Sequence, residues 1–297
     1  DHKATMESFL QWLDVLVIVR SAWSFALLLL LIKVLTPSLD VWTRYGKLQT
    51  VKFQQRSILS LLDTKQTFIL MYLFGSIWNL FLMLCTVFIL IVDNNSLSNY
   101  PILYPFTRHK SWNCFEHRLL PCMIMFQVHI SVRLWECLKV HKFSDRLMPT
   151  ANSVLAICFY FFAPLGPVVE WFHDDCAIFE SRPFVQMSAF ILFCVASWKQ
   201  HESHVILALL RNPKKKSDKQ FLIPPSKGWF QYISCPHYFA EILIYFSLLL
   251  LCSLSAVSVW MTLIFVMANL TVTAIQTQSF YVQKFGQNFP KHRKIIV

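Results

Sequence analysis

Charge is scarce in this chain. Charged residues make up 14% of its 297 residues, against roughly 25% in an average soluble domain. Apolar residues make up 56%. A water-soluble domain of this length needs a polar surface, and so few charges cannot supply one. The composition therefore predicts an integral membrane protein.

Several motifs are missing as well. The nine cysteines form no C-x-x-C pair and no His/Cys spacing typical of a metal site, so we expect no metal centre. No G-x-G-x-x-G motif follows a predicted strand, which argues against a Rossmann site. The net charge of +11 does not indicate nucleic acid, because the basic residues lie between apolar runs and suit a membrane surface. We find no cleavable signal peptide and no internal repeat.

Apolar runs of spanning length are present instead, each near the 20 residues that a membrane helix needs. The run Tyr238–Ile275 is too long for one span and is expected to turn near Ser255–Ser258. We expect an all-α bundle of about seven transmembrane helices that forms one multi-span domain over residues 1–297. The other predicted spans are Leu13–Leu35, Thr67–Val92, Leu119–Leu138, Ala151–Phe172 and Phe184–Trp198, the last continuing into more polar sequence.

Lysine and arginine collect in alternate loops, which indicates the side that faces the cytosol. They are concentrated after the first, third and fifth predicted helices and in the tail, and the loop that holds Lys214–Lys219 is the richest. We therefore expect a cytosolic C-terminus and a lumenal N-terminus. Cys114 and Cys176 would then lie in lumenal loops, where they can form a disulfide or remain free thiols.

Ionisable residues at membrane depth are costly and by default suggest a functional site. His129, Arg133 and Glu136 are spaced i, i+4, i+7 on the third predicted helix, so they share one face. An ion pair between Arg133 and Glu136 that joins two helices is an equally good interpretation of those two residues.

Polar residues form stripes on other predicted helices too. Tyr72 and Asn79 share a face of the second helix, although such residues commonly hydrogen-bond between membrane helices. Stripes near the cytosolic ends of the last three helices predict an electropositive pocket, in which arginine would bind the phosphates of a ligand. For the fifth helix a solvated end near the headgroups is the alternative. These stripes comprise Gln200, His204, Arg211, His237, Tyr238, Glu241 and Asn269, with Tyr281 at the exit of the last helix.

The C-terminal third resembles the steroid 5α-reductase family. Residues 200–211, QHESHVILALLR, are similar to its Q/N-x-x-x-H/D-x-I-L-x-x-L-R stretch, and residues 236–242, PHYFAEI, to its P-N/H-Y-x-A/G-E-I motif. Residues 280–294 resemble its F-Y…Y-P-K-x-R-K tail, and HISVRLWECL at 129–138 is similar to H-x-x-x-R-L-F-E-C-L. RYGK at 44–47 and SIWN at 76–79 resemble the polyprenal reductase branch in particular.

The resemblance implies an NADPH-dependent membrane reductase that transfers a hydride to a C=C bond conjugated with a carbonyl. Its polyprenal reductase branch implies a long-chain polyprenyl lipid as substrate, in the endoplasmic reticulum, within the dolichol pathway that supports protein N-glycosylation. Helices 1–3 (residues 1–150) would face the substrate and helices 4–7 (residues 151–297) would bind NADPH.

The resemblance also implies roles for single residues. His129 falls where steroid members carry a substrate-carbonyl tyrosine, so it is the expected proton donor or oxygen clamp, assisted by Tyr72, Asn79 and Glu136. The expected NADPH-binding residues are Gln200, His204, Arg211, His237, Tyr238, Glu241, Asn269, Tyr281 and Arg293. A steroid 5α-reductase or an enoyl-thioester reductase is the alternative within the family, and a membrane transporter or lipid-binding scaffold is the alternative outside it.

The predicted orientation is tested by protease accessibility. Epitope tags in the Lys214–Lys219 loop and at the C-terminus should both be cleaved from the cytosolic side of sealed microsomes, because both carry the basic residues that stay in the cytosol. A tag near Asn94 should be protected. A protected Lys-rich loop would overturn the orientation.

Overall fold

The computed structural model of the protein describes residues 2–36, 64–92, 115–143, 150–173, 183–211, 225–252, 254–290 and 292–296. The Lys214–Lys219 loop and both predicted lumenal cysteines, Cys114 and Cys176, lie outside the described residues. The predicted orientation and the question of a disulfide therefore stay predictions.

Seven α-helices make up nearly all of the described part of the chain. They are α1 His2–Leu35, α2 Thr64–Val92, α3 Leu120–Lys139, α4 Thr150–His173, α5 Pro183–Leu209, α6 Pro236–Cys252 and α7 Val257–Phe285. The predicted all-α class and the seven helices are confirmed. The long apolar run turns at residues 254–256, as expected, and α5 continues well past Trp198.

Four of these helices, α1, α2, α4 and α7, are long and apolar enough to cross a membrane, and α6 is a shorter apolar helix. The other two, α3 and α5, carry the polar residues that the sequence singled out. Their lower hydropathy is explained by where those residues lie, because Glu136 and Gln200 are buried inside the bundle.

Burial along α2 shows how the bundle is organised. Its buried positions recur every three or four residues, as at Met71, Gly75, Asn79 and Leu82, while the apolar side chains between them are largely exposed. A helix with polar groups inside and apolar groups outside is the arrangement that a lipid environment requires. The exposed residues include Leu73, Phe74, Ile77, Phe81 and Leu84.

The helices close into a ring. In spatial order α1 packs on α7, α7 on α6, α6 on α5, α5 on α3, α3 on α2, α2 on α4 and α4 on α1, and α4 also packs on α7 and α3 on α6. Helices α2 and α4 come especially close at Gly75, where an added Cβ would lie 2.8 Å from Cδ1 of Tyr160. The Trp78 indole also donates to the backbone carbonyl of Phe161 at 2.9 Å.

A buried carboxylate joins three helices at one end of the bundle. Glu170 on α4 accepts two hydrogen bonds from Nη2 of Arg20 on α1, both at 3.1 Å. It also accepts from the backbone N–H and the hydroxyl of Ser258, in the first turn of α7, at 2.7 and 2.6 Å. The helix start favours this negative charge, because its N–H groups lack partners within the helix. Arg20, an awkward charge in an apolar span, is thereby compensated.

Replacement of Glu170 by alanine should destabilise the protein. Breaking a buried ion pair costs about 3–5 kcal/mol, and the partial exposure of Arg20 places the loss near the lower end. The melting temperature in detergent should therefore fall by several degrees. The matched control is Glu202→Ala, which removes a carboxylate paired with Lys199 at 2.8 Å in a more exposed place and should cost less than about 1 kcal/mol. Equal melting temperatures for the two variants would contradict the assignment.

Candidate active site

A cavity of about 440 Å³ lies inside the ring and receives side chains from all seven helices. It is bordered by the ends of α1, α3 and α5 and by the starts of α2, α4 and α6, so consecutive helices run in opposite directions. These are the helix ends that carry the basic loops. The residues that mark them are Lys33, Thr64, Lys142, Asn152, Arg211 and His237.

The cavity changes character with depth. We call Lys33, Lys142, Asn152, Arg211 and Gln276 its outer part, and they are cationic or amide side chains. Its floor consists of aromatic and apolar side chains: Met71, Tyr72, Phe159, Tyr160 and Phe265. Tyr160 follows Asn152 by eight residues on α4, which corresponds to about 12 Å of helix. One cavity thus offers a charged part to a polar ligand and an aromatic part to an apolar one.

Most of the predicted site residues line this cavity. Gln200, His204 and Arg211 do so because their spacing places them on the inner face of α5 and its extension. The others that line it are Tyr72, His237, Tyr238, Glu241 and Asn269. The predicted convergence of stripes from the last three helices is therefore seen in the geometry, while the roles of these residues stay predictions.

Glu136 does not line the cavity but organises the wall behind it. Its carboxylate is fully buried, accepts hydrogen bonds from Arg133 and from Nδ1 of His201 at 2.8 Å, and lies 2.9 Å from Nδ1 of His204. The same Nδ1 lies 2.8 Å from Nη1 of Arg133. It donates to Glu136 when it carries the proton and accepts from Arg133 when it does not, so the two hydrogen bonds belong to different tautomers. The ion pair of Arg133 and Glu136 therefore lies within α3, and the contacts of Glu136 with the two histidines connect α3 to α5.

Glu241 occupies the cavity wall between His129 and the cavity. Its carboxylate contacts Nε2 of His129 at 3.1 Å and accepts a hydrogen bond from Gln200. His129 is 2% exposed, does not line the cavity, and packs edge-on against the Tyr245 ring at 5.9 Å. His129 can therefore act on a ligand through Glu241, or directly if the Glu241 side chain moves aside.

Three other predicted residues lie outside the cavity lining. Asn79 is fully buried and donates to the Met123 carbonyl at 3.1 Å and to Gln127 at 3.0 Å, beside a separate cavity of about 20 Å³. Tyr281 is fully buried against Phe289. Arg293 donates to the Pro225 carbonyl, so it holds the tail against the segment before α6.

Two basic groups that line the cavity beyond the helix ends have shifted pKa values. Burial lowers the pKa of Arg211, an effect that the nearby Tyr281 phenol opposes, so an anion in the cavity would offset the cost of burying this guanidinium. Burial, with His204 and Arg133 nearby, lowers the pKa of His141 to about 2. The imidazole of His141 is therefore neutral.

Among the residues that the structure describes, one group could hold a metal ion. Ligand atoms of Glu136, His141 and His204 lie within 4.8 Å of one another. Arg133 approaches both Glu136 and His204 and already supplies positive charge there. This position therefore suits the Arg133 guanidinium better than a metal ion. The expectation of no metal stays a prediction.

Several lining residues have no signal in the sequence. Tyr160 stands in the aromatic run Phe159–Phe162, with no polar residue one helical turn before or after it. Lys33 lies at the end of an apolar helix, where a basic residue is ordinary. His141 lies just beyond the end of α3. Only the packing of α1, α3 and α4 around the cavity reveals them.

Fold and site together define a polytopic membrane protein with a ligand-sized, partly cationic cavity inside its helix bundle. Residues 146–297 match the sequence model of the 3-oxo-5-alpha-steroid 4-dehydrogenase family. The chain belongs to this family of oxidoreductases, and its similarity runs to the polyprenal reductase branch.

The curated relatives on that branch are distributed across eukaryotes. The chain is 31% identical over 194 residues to a polyprenal reductase of Danio rerio, with 63% of this chain and 62% of the relative covered. It is 32% identical over 161 residues to a polyprenal reductase of Saccharomyces cerevisiae, with 54% and 56% covered. A polyprenal reductase of Caenorhabditis elegans is 26% identical over 271 residues, with 86% and 85% covered. The chain thus spans about 62% of the length of the Danio rerio relative.

The expected role of Arg211 in binding the phosphates of NADPH is tested by Arg211→Ala, which should then weaken NADPH binding far more than lipid binding. A charge-assisted hydrogen bond contributes about 1.5–3 kcal/mol, so the Kd for NADPH should rise roughly 10- to 100-fold. Microscale thermophoresis of the detergent-purified protein measures both affinities. Lys284→Ala removes a positive charge that does not line the cavity and serves as the matched control. An equal loss of NADPH and lipid affinity would contradict a phosphate-binding role for Arg211.

Proposed function

We propose that this protein is an NADPH-dependent reductase of the endoplasmic reticulum membrane that reduces the α-isoprene C=C bond of a polyprenyl lipid, as the aldehyde polyprenal. The reaction belongs to the dolichol pathway that supports protein N-glycosylation. The observation that carries the proposal is the single cavity that joins a cationic outer part to an aromatic floor within the bundle. Membership of an oxidoreductase family and the names of the relatives support it.

The donor set of the cavity suits a dinucleotide. Arg211 and the other outer cations can bind phosphate oxygens, and the side-chain amides of Gln200 and Asn269 can hydrogen-bond to other polar groups of the dinucleotide. The rings of His237 and Tyr238, with centroids 4.1 Å apart, offer an aromatic surface beside them. Tyr281 and Arg293 would act from behind, by holding the tail and the end of α5 in place. Bound NADPH would supply the hydride.

The floor suits the isoprene end of a lipid. Phe159, Phe265 and Met71 can surround an apolar chain, and the same floor carries the hydroxyls of Tyr72 and Tyr160. A long polyprenyl tail would leave laterally between helices into the bilayer, where its burial costs nothing. The conjugated carbonyl would then lie where the polar and aromatic parts of the cavity meet.

Hydride addition to the β-carbon develops negative charge on the carbonyl oxygen, so the site must provide hydrogen-bond donors and a proton. His129 would supply the proton, directly or through Glu241, which it contacts at 3.1 Å. Tyr72 would support the substrate from α2. Glu136 and Asn79 would keep α3 in register with α5 and α2 through the hydrogen bonds described above.

The proposal is tested with purified protein in lipid nanodiscs. NADPH should raise its melting temperature, and polyprenal should be converted to a product two mass units heavier with matching loss of NADPH absorbance. A 3-oxo-4-ene steroid and an enoyl thioester are the comparison substrates. Turnover of the steroid alone would indicate a steroid 5α-reductase instead. An absence of thermal protection by NADPH would favour a transporter or scaffold.

His129→Ala should lower turnover of polyprenal on the order of 100- to 1000-fold, because a donor to the developing charge is lost. Thermal protection by NADPH should persist. His129→Tyr, which restores a hydroxyl donor, should recover part of the rate. Near-normal turnover of His129→Ala would show that His129 is a packing residue.

A further inference from the structure

The polar groups at the floor of the cavity are mostly engaged with one another. Arg133 binds Glu136 and contacts His204, and Gln200 binds Glu241. Tyr72 lies beneath Arg133, whose guanidinium carbon is 5.6 Å from the centre of its ring. A ligand oxygen at this depth therefore meets few donors that are not already used.

The floor also carries two tyrosine hydroxyls, those of Tyr72 and Tyr160, and Tyr160 stands on a helix that holds none of the groups just named. It lines the floor, is 6% exposed, and its hydroxyl makes no hydrogen bond within the described residues. It stands on α4 and lines the same cavity as Gln200 of α5 and Glu241 of α6. Its hydroxyl is thus a donor that a ligand can take without breaking a contact in the protein.

The Tyr160 ring is also held firmly. Gly75 leaves the space that the ring occupies, since a Cβ there would lie 2.8 Å from Cδ1 and 3.1 Å from Cβ of Tyr160. The rings of Tyr72 and Phe159 meet it edge-on, with centroids 5.4 and 5.2 Å away. A donor fixed in this way costs little reorganisation when charge develops on its acceptor.

We propose that Tyr160 is a catalytic residue whose hydroxyl donates a hydrogen bond to the carbonyl oxygen of an α,β-unsaturated substrate, and that Gly75 is its positioning residue. This rests on the proposed function. When a hydride from the nicotinamide forms a bond to the β-carbon, the electrons of the C=C bond shift and the oxygen gains the negative charge. Tyr160 keeps its proton and stabilises that oxygen, and the α-carbon takes the proton that His129 supplies, directly or through Glu241, to complete the reduction.

Tyr160→Phe separates this role from packing, because it keeps the ring and removes only the hydroxyl. We expect kcat for polyprenal to fall on the order of 100- to 1000-fold, with the NADPH-induced rise in melting temperature unchanged. The matched control is Tyr232→Phe, which removes the hydroxyl of an exposed tyrosine outside the cavity and should keep the rate. A Tyr160→Phe rate within about threefold of the wild type overturns the proposal, as does an equal loss of NADPH protection.

Gly75→Ala tests the positioning residue, which does not line the cavity. The added methyl group must displace the Tyr160 ring, so kcat should fall while NADPH protection persists. In the Tyr160→Phe background the same change should cost much less, because the hydroxyl that it misplaces is already gone. Additive losses would overturn the role of Gly75. A wild-type protein that does not reduce polyprenal would refute the proposed function itself, whereas an active wild type with an active Tyr160→Phe variant refutes only this inference.

Discussion

A carboxylate buried in a bundle surrounded by lipid must find all its partners within the protein, because neither water nor lipid can replace them. This constraint shapes the bundle at three places. Glu170 gathers α1, α4 and α7 at one end. Glu136 and Glu241 each connect α3 with α5, and Glu241 brings in α6 as well. The contacts that compensate these charges are the same contacts that fix the order of the helices around the cavity.

The two glutamates beside the cavity also determine what it can bind. Because Glu136 and Glu241 already contact neighbours in the wall, their carboxylate oxygens are largely occupied before a ligand arrives. The outer part retains Lys33, Lys142 and Arg211, which favours an anion there. Below it the aromatic floor favours an apolar chain. Under the proposed function, the substrate would place its reacting bond at the boundary between the two.

Helical periodicity was enough to predict much of this arrangement. Gln200, His204 and Arg211 share a face by spacing alone, and that face lines the cavity. Periodicity predicts which face of a helix a residue lies on, but not which residues of other helices pack against that face. It could therefore not predict that Glu241 stands between His129 and the cavity, or that Asn79 lies beside the smaller cavity. Tyr160 was missed because a single hydroxyl in an aromatic run has no period at all. Its importance depends on α2, which is distant in sequence and close in space.

The close approach of α2 and α4 couples two positions that are 85 residues apart in the chain. Any side chain larger than hydrogen at position 75 takes space that the ring at position 160 fills. The two positions should therefore coevolve: chains with a larger residue at 75 should carry a smaller one at 160, while chains with tyrosine at 160 should keep glycine at 75. Such a correlation between positions 75 and 160 should be found across the whole branch, whatever substrate each member uses.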